Sequence, residues 1–158
     1  RFAGQCNKGD AQMEGSSFDE TEQELRHVST AIADVLAGYD TLEQRVEDDI
    51  RPIVHDLRAM HERHDREMAR GSALIDTDGD TGSIQGAVNR AVVTLRDWVC
   101  TLDSDALPFI RDGEERLLSI YDTAISECLS GGRPTSVLAV LERQRQEIAT
   151  KVMKLPSQ

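Results

Sequence analysis

The 158-residue sequence contains few aromatic residues, prolines and cysteines. Aromatic residues make up 4% of the chain, which is low for a β-sandwich or β-barrel, because strands favour aromatic and β-branched side chains. Four prolines and eleven glycines are too few for a collagen-like or low-complexity chain. No apolar run approaches the roughly 18 residues that a membrane-spanning helix requires. We therefore expect one globular domain that makes no use of a membrane.

Positive charge is also scarce, since 18 Lys and Arg stand against 29 Asp and Glu and give a net charge of −11. Nucleic acid and anionic membranes would repel such a chain, so we predict neither as a partner. Cys6, Cys100 and Cys128 are widely separated and form no CxxC pair, which excludes a disulfide framework or a zinc finger. They predict reduced, mostly buried thiols and hence a cytoplasmic protein.

Apolar residues recur at steps of three and four along most of the chain, which is the period of an amphipathic helix. They predict five helices, at about 19–47, 50–71, 83–102, 105–130 and 134–155. No stretch alternates with period two for long enough to form a strand. Residues 1–16 are small, polar and aperiodic, so we expect a flexible N-terminal arm before a single domain over 17–156. The predicted class is all-α, and long helices with short loops indicate a bundle.

The predicted helix ends depend on residues that start or stop helices. Ser17-Phe18-Asp19-Glu20 has the spelling of a capping box before the first helix. Pro52 suits the first turn of the second helix, where its missing N–H costs nothing. Gly71 is predicted to end the second helix, and Gly131-Gly132 the fourth.

Five motifs are distributed along these segments. They are Asp34-x-x-x-Gly38-Tyr39, His64-x-x-Glu67, Gly82-Ser83-Ile84-x-Gly86-Ala87-x-Asn89-Arg90-Ala91, Gly113-Glu114 with Tyr121, and Gln144-x-x-Glu147-Ile148. In order and spacing they resemble a bacterial ferritin-like family, domain of unknown function 2383, over about residues 22–153. The resemblance implies a ferritin-like antiparallel four-helix bundle, with the predicted third helix as an additional crossover helix. Where the family usually has a His on its last helix, this chain has Val152.

Two polar residues lie on apolar stripes and form the candidate metal site. His64 lies between Met60 and Met68, and Glu114 lies between Ile110 and Leu117. A buried carboxylate is costly unless it is paired or bound to a metal. We therefore predict that His64 and Glu114 meet in the core as ligands of iron or another divalent ion. The residues expected to support them are Tyr39, Tyr121, Asp34, Glu67 and Gln144.

The same residues allow two other interpretations. One is a His–Glu–Tyr hydrogen-bond network that fixes the register of the helices, and the other is a Glu114 that reaches water at the edge of its stripe. A carboxylate-bridged metal pair needs a Glu from each of two helices and Glu-x-x-His from each of the other two. The chain has His61-x-x-His64 and Glu147-x-x-Thr150 instead. We expect neither His55 nor His61 to share the face of His64.

No catalytic residues are predicted. The sequence has no Gly-x-Ser-x-Gly, no P-loop and no GxGxxG, and Asp76-x-Asp78-x-Asp80 lacks the later Gly and Glu of an EF-hand. The favoured function is a non-enzymatic, oligomeric stress or assembly module. The alternative is a metal-binding protein with a degenerate core site. We expect a homodimer, formed through the helix around Trp98.

Overall fold

The computed structural model describes residues 11–75, 106–132 and 135–155, with side chains over 22–71, 106–132 and 135–155. Within these ranges the chain forms four helices and no strand, which confirms the all-helical class. The helices are α1 (Ala11–Glu43), α2 (Arg51–Ile75), α3 (Ala106–Ser130) and α4 (Thr135–Val152). The predicted helix over 83–102, the loop at 76–82, Trp98 and residues 1–10 lie outside the described residues.

The four helices pack around one core as two hairpins. Helix α1 packs against α2 and α3, and α4 packs against α3. The turns after α1 and α3 are short, so each hairpin is antiparallel. Tyr39, near the end of α1, contacts Glu114, near the start of α3, so these two helices are antiparallel as well. It follows that α2 and α3 run in the same direction, and that the end of α2 and the start of α3 lie at opposite ends of the bundle.

The apolar stripes predicted from the sequence form the core. The buried apolar side chains come from all four helices and the turns that follow α1 and α4: Leu25, Val28, Ala31, Ile32, Tyr39, Leu42, Val46, Val54, Leu57, Met60, Met68, Ala106, Ile110, Leu117, Tyr121, Ala124, Cys128, Leu141, Ile148, Val152 and Leu155. Burial of each large apolar side chain contributes about 1.5–3 kcal/mol. In the part of the chain that the structure describes, no helix combines the length and the low polarity needed to cross a membrane.

Helix α1 begins at Ala11 rather than near residue 19, so residues 11–16 of the predicted N-terminal arm are helical. The capping-box spelling at Ser17 does not mark the start. Residues 11–14 (Ala-Gln-Met-Glu) are good helix formers, and the single Gly15 costs only about 1 kcal/mol. The helix ends at Glu43, four residues before the predicted end, where the N–H groups of Arg45 and Val46 both donate to the Leu42 carbonyl.

The two predicted glycine stops have different outcomes. Helix α2 continues through Gly71 to Ile75, so the prediction that Gly71 ends it is wrong. Good helix formers follow at Ala73 and Leu74, and they carry the helix past one glycine. By contrast, α3 ends as predicted, because Gly132 adopts the left-handed conformation with φ 63°. Helix α4 ends at Val152, three residues early, and the chain continues in turns to Leu155.

Candidate functional site

Four polar side chains are buried in the middle of the bundle, among the residues whose side chains are described. They are His61 and His64 on α2, Glu114 on α3 and Gln144 on α4. Each lies on the core-facing stripe of its helix, where the apolar pattern is interrupted by one polar residue. Burial of such groups is costly unless they are hydrogen-bonded, so their partners determine what the site can do.

Glu114 is held by residues from two other helices. The His61 Nε2 atom lies 2.8 Å from Oε1 and 3.1 Å from Oε2 of Glu114, and the Tyr39 hydroxyl donates to Oε1. The Tyr39 and His61 rings stack, with centroids 5.8 Å apart and planes 16° apart. Because carboxylate oxygens only accept, the proton on His61 is placed at Nε2. Oε1 of Glu114 therefore receives the Tyr39 hydroxyl and shares the His61 N–H with Oε2.

The environment of Tyr39 keeps its hydroxyl protonated. Burial raises the pKa of Tyr39 well above its usual value, and the negative charge of Glu114 and the hydrogen bond to it raise this pKa further. In this position the phenol donates a hydrogen bond to the carboxylate.

His64 forms a second contact, toward α4. Its Nε2 atom lies 3.0 Å from Oε2 of the partly exposed Glu147, and the Arg63 guanidinium donates to the other oxygen of the same carboxylate. Burial lowers the pKa of His64 despite the opposing effect of Glu147. For Glu147, burial acts to raise the pKa, but the hydrogen bond from His64 and the charge of Arg63 lower it overall. At neutral pH the pair is a neutral imidazole that donates to a carboxylate.

A third contact joins α2, α3 and α4. The Tyr121 hydroxyl donates to Oε1 of Gln144 at 2.7 Å, and Nε2 of Gln144 donates to Oε2 of Glu67 at 2.8 Å. Arg143 donates to the same Glu67 oxygen from the surface. Burial raises the pKa of Tyr121, and the charges of Glu114 and Glu67 raise it further. Gln144 thus has a donor for its oxygen and an acceptor for its nitrogen.

These three contacts form one continuous polar layer across the bundle. We define the polar layer as eight residues: Tyr39, His61, His64, Glu67, Glu114, Tyr121, Gln144 and Glu147. The His61 and His64 rings meet edge to face with centroids 5.8 Å apart, and this contact connects the first pair to the second. Helices α2 and α4 approach each other less closely than the other pairs of neighbouring helices do. Polar side chains of the layer bridge α2 and α4.

The family model described as "Domain of unknown function (DUF2383)" matches residues 20–127. The chain belongs to this family. The match covers most of α1, all of α2 and most of α3, and therefore six of the eight polar-layer residues, from Tyr39 to Tyr121. Gln144 and Glu147 lie beyond it on α4. No curated protein and no solved structure matches the chain.

In this DUF2383 member the predicted site residues are close together, but their pairing differs from the prediction. Glu114 is hydrogen-bonded to His61 and His64 to Glu147, so His64 and Glu114 are not direct partners, and their role as metal ligands stays a prediction. The interpretation in which Glu114 reaches water is also wrong, since its exposed fraction is 1%. Tyr39, Tyr121, Glu67 and Gln144 all belong to the layer. Half-buried Asp34 forms no hydrogen bond or ion pair with described residues, and burial raises its pKa.

His61 is the main residue that the sequence analysis missed. Its side chain is fully buried, so the prediction that His61 does not share the face of His64 is wrong, whereas His55 is exposed and lies off that face. The signal was present, because Leu57, His61, His64 and Met68 follow one another at steps of four, three and four. Residues three apart on a helix are neighbours, so His61 and His64 share the core face. Glu147 was missed as the partner of His64 for a similar reason, since it follows Gln144 by three.

The residues present do not fit the dinuclear metal centre of ferritin-like bundles. That centre takes its negative charge from four glutamates. Here Tyr39 donates to Glu114 Oε1, Gln144 is neutral, and both oxygens of Glu114 lie within hydrogen-bond distance of His61 Nε2. Within the described ranges, no group of three or more His, Cys, Asp or Glu side chains is arranged to hold a metal ion.

Proposed function

We propose that this DUF2383 protein is a non-enzymatic, cytoplasmic helical module that acts through its surface as a homodimer, in stress or assembly. The observation that carries the proposal is the pairing of Glu114. A carboxylate that served as a metal ligand or general base would need an oxygen available for the ion or the substrate. In this bundle Oε1 faces the Tyr39 hydroxyl and the His61 Nε2 atom, and Oε2 faces the same His61 Nε2 atom.

The course of the chain supports a ferritin-like arrangement for this module. Helix α2 ends at the opposite end of the bundle from the start of α3, which is the arrangement that a long crossover connects. A long crossover of this kind is a feature of ferritin-like folds. We propose that the predicted helix over 83–102 is this crossover, and that Trp98 on it anchors the dimer.

A metal-binding protein with a degenerate core site is the second candidate. The observation in its favour is that Nδ1 of His61 and Nδ1 of His64 are buried and have no hydrogen-bond partner. Each Nε2 is bound to a carboxylate, which is the arrangement that histidine ligands usually have on the side away from a metal. In this case His61 and His64 would hold a single ion such as iron, with Glu114 behind His61.

The experiment that separates the two candidates is elemental analysis of the purified protein, prepared without chelator and then incubated with Fe²⁺. The proposed module is folded and dimeric and contains no stoichiometric metal. Light scattering measures the mass, and Trp98→Ala lowers it to that of the monomer. One metal ion per chain in the wild type, lost in both His61→Ala and His64→Ala but kept in His55→Ala, would overturn the proposal in favour of the second candidate.

A further inference from the structure

Six residues of the polar layer occupy a particular pattern of positions. One comes from α1 (Tyr39), one from α3 (Glu114), and two pairs at i, i+3 spacing come from α2 (His61, His64) and α4 (Gln144, Glu147). A carboxylate-bridged metal pair takes one residue from each of two helices and an i, i+3 pair from each of the other two. The number of residues per helix and the spacing within each pair are therefore the same in the polar layer and in the metal-binding pattern.

The contacts place these six positions next to one another. Glu114 contacts both Tyr39 and His61, and the His61 ring contacts the His64 ring. His64 then contacts Glu147, and its backbone carbonyl accepts a hydrogen bond from Gln144 at 3.4 Å. The chain of contacts passes through all four helices and returns to the pair on α4. No position of the pattern lies away from the others.

The identities of the residues differ from the metal-binding pattern at four of the six positions. Tyr39, His61 and Gln144 stand where the pattern has Glu, and Glu147 stands where it has His. His64 and Glu114 agree with it. Two divalent ions bring four positive charges, whereas the six side chains offer only the carboxylates of Glu114 and Glu147. Instead, His61 and Tyr39 donate hydrogen bonds to Glu114, and His64 and Arg63 donate hydrogen bonds to Glu147.

We infer that the polar layer is a latent dinuclear metal site, in which protein donors hold Glu114 and Glu147 where divalent cations would otherwise bind. The inference does not depend on the module acting through its surface. It implies that the backbone of this bundle is already placed for two metal ions, and that four side chains prevent their binding. The ligand class is divalent first-row cations that accept carboxylate and imidazole, such as Fe²⁺, Mn²⁺, Co²⁺ and Zn²⁺.

The test is to restore the pattern in the full chain with Tyr39→Glu, His61→Glu, Gln144→Glu and Glu147→His. Co²⁺ is the probe, because its visible absorption reports coordination, and equilibrium dialysis counts the bound ions. We expect about two Co²⁺ per chain in the fourfold variant, in line with the two-metal pattern. We expect no Co²⁺ absorption band from the layer in the wild type.

Two controls accompany the variant, and the first has the same composition. One places the α4 changes out of register, as Gln146→Glu and Glu142→His on the exposed side in place of the changes at 144 and 147. The other adds Glu114→Gln, which keeps the shape of the side chain but removes a ligand. Both are expected to weaken Co²⁺ binding by more than about 100-fold, the most that loss of an outer partner of a ligand usually costs.

A smaller variant covers the case in which the fourfold variant does not fold. His61→Glu with Gln144→Glu restores Glu-x-x-His on α2 and is expected to bind one Co²⁺. Circular dichroism with and without Co²⁺ measures folding, and folding induced by the ion counts as binding. The inference is overturned if both variants fold and bind no Co²⁺, if both stay unfolded in its presence, or if the out-of-register control binds equally well. Wild-type protein that binds two Co²⁺ at the layer would overturn it as well.

Discussion

His61 on α2 and Glu114 on α3 form a hydrogen-bonded pair that is closed to solvent, with Nε2 at 2.8 Å from Oε1 and 3.1 Å from Oε2. The exposed fraction is 0% for the His61 side chain and 1% for Glu114. The two helices run in the same direction and are not linked as a hairpin, so this pair fixes their relative height. A shift of α2 by one turn would separate the two groups, leaving His61 without its acceptor and Glu114 with Tyr39 alone.

Loss of His61 should therefore be strongly destabilising. We expect His61→Ala to lower the free energy of unfolding by about 3–5 kcal/mol, because it breaks a buried pair and leaves the carboxylate with Tyr39 as its one donor. His55→Ala, on the exposed side of the same helix, should change it by less than about 0.5 kcal/mol. Urea unfolding followed by circular dichroism measures both. Equal effects of the two substitutions would contradict the pairing.

Simultaneous replacement of Tyr39, His61 and Glu114 tests whether the stability lost in His61→Ala comes from an unpaired charge. Tyr39→Phe, His61→Leu and Glu114→Leu remove both donors and the acceptor together. Because an apolar replacement of a buried pair is often neutral or stabilising, we expect the triple variant to recover most of the stability that His61→Ala loses. If the triple variant is less stable than His61→Ala, the layer contributes stability beyond the pairing of its charges.

The two tyrosines of the chain should resist ionisation while the protein is folded. Burial raises the pKa of both Tyr39 and Tyr121, and the charge of Glu114 raises both further. Absorbance at alkaline pH should show no phenolate at the ordinary tyrosine pKa of about 10 until the protein unfolds. The same protein in denaturant should titrate near that value. Titration of either tyrosine near pH 10 before the loss of helical signal would show that its hydroxyl reaches water.

The sequence was informative wherever burial follows the helical period. The stripe from Leu25 to Val46 and the stripe from Ile110 to Cys128 lie in the core as predicted, since periodicity records which side of a helix faces inward. Gly132 also ends its helix as predicted, because the stop needs only a local left-handed conformation. These features depend on residues close together in the chain.

The hydrogen-bond partners within the polar layer could not be predicted from the helical period. Whether Glu114 meets His61 or His64 depends on the height of α3 relative to α2, and neither helix records that height in its own pattern. Periodicity alone could have placed both histidines on the core face. It could not have chosen between them, because the choice is set by packing between residues 53 positions apart.

The stability of the protein should depend on pH through His64. Burial lowers the pKa of His64 below its ordinary value of 6.5, so the folded state binds fewer protons than the unfolded state across that interval. The free energy of unfolding should therefore have its full value above about pH 6.5 and should decrease as the pH falls below that value. His64→Gln, which keeps a donor toward Glu147 but does not titrate, should flatten this dependence between pH 7 and pH 5. An unchanged slope in that variant would assign the effect to another group.

Two glycines should respond to alanine substitution with opposite signs. Gly71 lies inside α2, and a Cβ added there meets no atom within 4 Å, so Gly71→Ala should stabilise the protein by about 0.5–1 kcal/mol. Gly132 has equally open surroundings, but its φ of 63° is unfavourable for a residue with a Cβ. Gly132→Ala should therefore destabilise by about 1–2 kcal/mol. Because a Cβ has open space at both sites, comparing the thermal unfolding of the two variants measures the effect of backbone conformation alone. A stabilising Gly132→Ala would mean that the end of α3 does not adopt the left-handed turn in solution.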